Sequence, residues 1–143
     1  MAGFEVHPRL LEDCHRLGRF MLSHVLLHRN AGLPWFILVP EVAIEATELH
    51  ELDPAQRRAL EVEIDALARF LKPALGAQKI NIAALGNLVP QLHIHVIGRR
   101  TDDPCWPGVV WGNLPEGPEW PAAKVTAIAD RLAALHGLQR GRC

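Results

Sequence analysis

The chain has 143 residues, 49% of them hydrophobic, with 15 Lys and Arg against 16 Asp and Glu and a formal net charge of −1 at pH 7. Length and composition predict one domain with a sizeable apolar core, and the charge balance argues against extended nucleic-acid binding through a broad basic surface. Cys14, Cys105 and Cys143 are too few and too scattered for a disulfide framework or a thiolate metal site, so a reducing, cytoplasmic setting is expected. The start Met1-Ala2-Gly3-Phe4-Glu5 lacks the pattern of a signal peptide, and no apolar run approaches a membrane span.

Taken in order, Leu10 to Leu22 reads as a first helix, with Leu10, Leu11, Cys14, Leu17 and Met21 on one face and Gly18 as a weak point. Val25 to Leu27 and Trp35 to Val39 read as two strands. His28-Arg29-Asn30-Ala31-Gly32-Leu33-Pro34 joins them as the wide loop of an antiparallel hairpin. A long helix begins at Asp53-Pro54, the aspartate capping and the proline at the first helical position. Leu60, Ile64, Leu67, Ala68 and Leu71 form its apolar stripe, and Arg57, Arg58, Glu61 and Glu63 its wet side. It is expected to end before Pro73.

Lys79 to Ala84 reads as a strand, Leu85-Gly86-Asn87 as a turn, and Gln91 to Gly98 as a strand antiparallel to it. Residues 99–120 look irregular, with several prolines and the tryptophans Trp106, Trp111 and Trp120. A last helix over about 121–136 buries Val125, Ile128, Ala129 and Leu132. The sum is an α+β chain: an antiparallel sheet with helices on one face.

The segment Val89-Pro90-Gln91-Leu92-His93-Ile94-His95-Val96-Ile97 carries the chemistry. Alternation of period two sends Gln91, His93 and His95 to one face and Leu92, Ile94 and Val96 into the core. A neutral imidazole is a good nucleophile toward phosphorus near pH 7, and its adduct stays activated toward water. That role requires His93 to keep one ring nitrogen unprotonated while the other donates to an acceptor such as a backbone carbonyl. Gln91 or Asn87 would orient a phosphoryl oxygen. The competing reading of His93 and His95 is that of ordinary strand histidines.

Metal binding is the separate alternative, because His93 and His95 can reach one ion. Zinc usually needs further ligands. His7, His15, His24, His28, His50 and His136 are scattered, and no His-Glu-x-x-His helix is present. No metal or cofactor is therefore expected.

Several segments together resemble the histidine triad (HIT) family of nucleotide hydrolases and transferases. Pro34-Trp35-Phe36-Ile37-Leu38-Val39-Pro40 looks like its early strand, Leu49-His50-Glu51-Leu52 like its approach to the long helix, and Asn81-Ile82-Ala83-Ala84 like a strand carrying a polar nucleotide contact. Gln91-Leu92-His93-Ile94-His95-Val96 looks like its His-apolar-His-apolar-His motif. The resemblance spans roughly residues 10 to 100. It implies a HIT-like fold, a homodimer, a nucleotide or nucleotide conjugate as substrate, and His93 as the nucleophile that takes the nucleotidyl group. It gives His95 the phosphoryl oxygens. It also suggests Asn87 and Gly86 at the scissile phosphate, and Asn81 and Asn30 at ribose or phosphate.

Two departures stand out. Gln91 replaces the first histidine of the motif, and Glu41-Val42-Ala43 lacks a further histidine often found there. Arg99 and Arg100 follow the strand, either to neutralise a polyphosphate or as a solvated pair. Trp106 and Trp111 would cover a base, meet a partner subunit, or fill a satellite core. The leading expectation is a phosphoanhydride or phosphoramidate hydrolase. The alternatives are a nucleotide-binding protein with weak or lost catalysis, and a nucleotidyltransferase to a small phosphate acceptor.

Overall fold

A computed structural model describes residues 3–43 and 45–141, so Cys143 lies outside the described residues. The order is α1 (Pro8–Asp13), β1 (Cys14–Arg19), β2 (Ser23–His28), β3 (Trp35–Pro40), a 3-10 turn (Leu49–Glu51), α2 (Pro54–Leu75), β4 (Lys79–Ala83), β5 (Ile94–Arg99) and α3 (Ala122–His136). The strands form one five-stranded sheet in the order β1-β2-β3-β5-β4, and each neighbouring pair is antiparallel. The expected α+β class, the β2–β3 hairpin and the antiparallel β4–β5 pair are all present. Among the described residues no helix is long and apolar enough to cross a membrane.

The two faces of the sheet hold two separate apolar layers. On one, Val25, Leu27, Phe36, Leu38, Ile94 and Val96 pack with Leu60, Leu67, Phe70 and Leu71 of α2 and Ile128, Ala129 and Leu132 of α3. On the other, Leu26, Trp35, Ile37, Val39 and Ile97 pack with Leu10 of α1 and with Leu33, Val89 and Val110 from connecting segments. The two long helices thus share a face as expected, while the short α1 covers the opposite one. Strands buried on both sides explain the nearly unbroken apolar run Trp35–Val39.

The first expected helix is the clearest correction. Helix stops at Asp13, and Cys14–Arg19 is an edge strand. Cys14 and Leu17 are three apart, which mimics a helical stripe, but they lie in the two different apolar layers. A bulge between Arg16 and Gly18 breaks the two-residue alternation that would have revealed a strand. Gly18 is required there. Its φ is +150°, and a Cβ would fall 2.2 Å from the Gln139 carbonyl oxygen. Met21, expected inside, is 92% exposed.

Helix α2 starts as the sequence predicts, with the Asp53 carboxylate accepting from the Gln56 N–H. It runs through Pro73 rather than ending before it. Pro73 lies in the last turn, with only two helical residues after it, so any bend it causes displaces little of the chain. Gly76, in the left-handed conformation, closes the end by donating to the carbonyls of Leu71 and Lys72. Glu63 also departs from expectation: it is buried on the packed side, accepting at 2.8 Å from the Leu22 N–H. Burial raises its carboxyl pKa, against the partial offset of these hydrogen bonds.

Gly98, on β5, lies where the end of α2 and two flanking residues crowd the strand. A Cβ there would sit 2.9 Å from the Ala77 side chain, 3.0 Å from Pro34 and 3.1 Å from Leu71. Gly98→Ala is expected to cost about 1–3 kcal/mol by overpacking, seen in urea unfolding as a lower midpoint at unchanged slope.

Candidate active site

His93 and His95 sit together on the face opposite the long helices. Strand β5 begins only at Ile94, so His93 stands at its threshold rather than inside it. The ring centroids are 4.9 Å apart, with the planes at 71°. Both residues are largely buried, at 6% and 5% exposure. A cavity of about 410 Å³ opens beside them, lined by Arg9, Leu10, Asp13, His28, Trp35, Leu85, Gly86, Asn87, Leu88, Val89, His93, His95 and Trp111. Its walls are mostly apolar with a few polar groups, the usual character of a small-molecule site.

Each imidazole has one nitrogen committed. His93 Nδ1 lies 2.7 Å from the backbone carbonyl oxygen of Gln91. A carbonyl only accepts, so Nδ1 carries the proton and Nε2 keeps its lone pair in the neutral ring. His95 is the converse: the Trp35 indole N–H donates to its Nδ1 at 3.0 Å. An indole only donates, so the His95 proton resides on Nε2. One ring offers a nucleophilic lone pair and its neighbour an N–H donor.

Burial keeps both rings neutral. Desolvation lowers the His93 pKa, partly offset by the Gln91 carbonyl and aided by His7. His95 is pushed down to about 3, first by desolvation and then by His93 and His28. His28, also lowered by burial, stacks on the Trp35 ring at 4.4 Å and accepts from the Asn30 N–H through its own Nδ1. Trp111 meets His95 edge-on at 5.1 Å and Trp35 at 6.0 Å. Its indole N–H is buried without a hydrogen-bond partner among the described residues.

The other sequence-predicted residues separate into two groups. Asn87 and Gly86 line the cavity, and Gly86 has φ +72°, which suits glycine at this turn. Gln91 does not line it. Its side-chain oxygen accepts from the His7 N–H at 2.8 Å and its amide donates to the Glu5 carbonyl at 2.9 Å, fastening the N-terminal segment. Asn30 organises its own loop, donating to the Pro115 carbonyl and accepting from the Gly32 N–H.

Arg99 does not line the cavity either. Its guanidinium grips Asp103 through two bonds of 2.7 and 3.0 Å and donates to Asn81 Oδ1 at 3.0 Å. It is neither a free polyphosphate ligand nor a solvated cation, because only 1% of it is exposed. Arg100 does face water, paired with Asp102. Trp106 stands under the Arg99 guanidinium, 5.5 Å from it, and has no place in the cavity wall. Among the described residues no group of three or more His, Cys, Asp or Glu is arranged to hold a metal ion.

Sequence reasoning missed Trp35 and His28. A signal for Trp35 existed: Ile37 pairs with His95 across β3 and β5, and counting back by two puts Trp35 on the imidazole face. Nothing local marked His28, whose place depends on the hairpin register.

The HIT domain model matches residues 10–102. A histidine triad protein from Bradyrhizobium japonicum is 42% identical over 92% of this chain and 97% of its own, with a TM-score of 0.85. One from Sinorhizobium meliloti is 41% identical over 94% and 98%, with a TM-score of 0.87. One from Marinobacter aquaeolei is 41% identical over 95% and 98%, with a TM-score of 0.85. No curated protein matches. The chain belongs to the histidine triad family, and nucleotide-related hydrolase or transferase activity goes with that membership.

Two outcomes follow from the buried ionisable groups. Arg99→Ala would leave Asp103, whose side chain is 2% exposed, without its cation. A loss of about 3–5 kcal/mol in denaturant unfolding is expected. His95, with a folded pKa of about 3 against about 6.5 when unfolded, contributes stability that is complete above pH 6.5 and drains as pH falls toward 3. Replacing it by Gln should make the acid-side fall in stability shallower, by up to about 1.4 kcal/mol per pH unit, as measured by unfolding at several pH values.

Proposed function

We propose that this chain hydrolyses nucleotide phosphoanhydrides or phosphoramidates through a nucleotidyl-histidine intermediate. One observation carries the reading: His93 Nδ1 is bound to the Gln91 carbonyl, which leaves the Nε2 lone pair free in a ring held neutral by burial. In the first step Nε2 attacks the α-phosphorus. A P–N bond forms, and the bond to the leaving group breaks with its electron pair on the departing oxygen or nitrogen, which takes a proton from solvent.

As the ring acquires positive character, the Gln91 carbonyl accepting from Nδ1–H stabilises it. The His95 Nε2–H donates to a phosphoryl oxygen where negative charge develops. Asn87 and the Gly86 backbone flank the same oxygens, and Trp111 with the leucines of the cavity wall receives the apolar face of the base. Water then attacks phosphorus, the P–N bond breaks with its pair returning to Nε2, and a proton leaves to solvent. The Gln91 side chain acts at one remove, holding the N-terminal segment against the strand. Arg99, Asn81 and Asn30 keep the surrounding loops in place.

The reading includes a homodimer in a cytoplasmic setting. Strand β4 is at the sheet edge with Ile82 52% exposed, and the turn after it exposes Leu85 and Leu88. Such an edge is suited to pairing with a second copy.

His93→Ala is expected to retain the wild-type circular dichroism spectrum and to lose at least about a thousandfold in turnover of adenosine 5′-phosphoramidate, the scale seen when a nucleophile is removed. Unchanged turnover in the folded variant would contradict the mechanism. Chromatography of products with and without orthophosphate separates hydrolysis from transfer.

A further inference from the structure

The Trp35 indole is the structural counterpart of the Gln91 carbonyl, acting on the other imidazole. It is 92% buried, at 8% exposure, and its only hydrogen-bonding atom donates to His95 Nδ1 at 3.0 Å. A neutral imidazole has two tautomers, and the one with its proton on Nδ1 would set two N–H groups against each other here. That tautomer is excluded while Trp35 holds its position.

The position of Trp35 is itself over-determined. The ring stacks on His28 at 4.4 Å and 11° and makes an edge contact with Trp111 at 6.0 Å and 84°. Its backbone belongs to β3, in register with Ile97 of β5. The His28 ring is fixed in turn by the Asn30 N–H. A chain of contacts from the β2–β3 loop to His95 therefore sets one proton on one nitrogen.

We propose that Trp35 is a positioning residue that locks His95 as the Nε2–H tautomer, so that His95 presents a permanent donor to the phosphoryl group next to the His93 lone pair. The proposal rests on the nucleotidyl-transfer reading of His93. It adds a division of labour between the rings: the carbonyl of Gln91 makes His93 an acceptor toward the cavity, and the indole of Trp35 makes His95 a donor. Without the indole N–H, His95 Nδ1 would be free to take the proton, and a lone pair at Nε2 would then repel the phosphoryl oxygens.

The test is nitrogen-15 NMR of the histidine rings in full-length wild type and in Trp35→Phe, which keeps an aromatic ring and deletes the N–H. In wild type, without substrate and near pH 7, His95 should show a protonated Nε2 and a bare Nδ1, and His93 the reverse. Trp35→Phe should convert His95 to a mixture of tautomers while His93 keeps its pattern. With adenosine 5′-phosphoramidate as probe, kcat of the variant should fall about tenfold or more with a smaller change in KM, as for loss of an oriented transition-state donor.

A wild-type His95 protonated on Nδ1, or a Trp35→Phe spectrum with His95 unchanged, would overturn the proposal. Even if the variant does not fold, a wild-type His95 protonated on Nδ1 would still overturn the proposal. Because the tautomer is read without substrate, a wild-type protein inert toward the probe would count against nucleotidyl transfer, while the nitrogen spectrum would still decide the role of Trp35.

Discussion

The 2.7 Å contact between His93 Nδ1 and the Gln91 carbonyl is the constraint on which the rest of the site depends. A buried ring cannot leave its N–H unpaired without a cost of about 1–3 kcal/mol. Among the described residues, the acceptor contacting it is the Gln91 carbonyl, two residues back on its own chain. That bond orients the ring and decides which nitrogen can act. It also explains why the segment before β5 leaves the regular ladder: Gln91 to His93 must bend so that a backbone carbonyl meets a side chain.

The same logic extends outward in layers. Antiparallel pairing of β3 with β5 brings Trp35 to His95, and pairing of β2 with β3 brings His28 to Trp35. Helices α2 and α3 take no part in the cavity wall. They fill the far face, where Ile94 and Val96 alternate with the functional side chains. The sheet is thus the coupling element. Its helix side supplies the buried apolar area that stabilises the fold, and its other side spends part of that stability on neutral, desolvated imidazoles.

Legibility in the sequence followed the strength of the local pattern. Alternation in Leu92–Val96 revealed the face shared by His93 and His95, and the Asp53-Pro54 cap revealed the start of α2. The β1 bulge defeated the same method, because an inserted residue turns a two-residue period into a false helical one. Pro73 misled because α2 continues for only two residues beyond it, so any bend at the proline displaces only the last turn. Arg99, Asn81 and Asn30 could not be assigned from type alone. Their partners, Asp103 in the following loop and Pro115 far along the chain, are set by tertiary packing. The sequence pattern points to the Gln91 side chain, whereas its backbone carbonyl makes the contact with His93.

The central claim is covalent chemistry at His93 Nε2, and intact-protein mass spectrometry after rapid mixing with adenosine 5′-phosphoramidate and with a dinucleoside polyphosphate tests it most directly. The account predicts a transient species heavier by one nucleotidyl group in wild type and absent in His93→Ala, with product released as it decays. Product formed by His93→Ala at the wild-type rate, or an adduct that persists when His93 is gone, would contradict it.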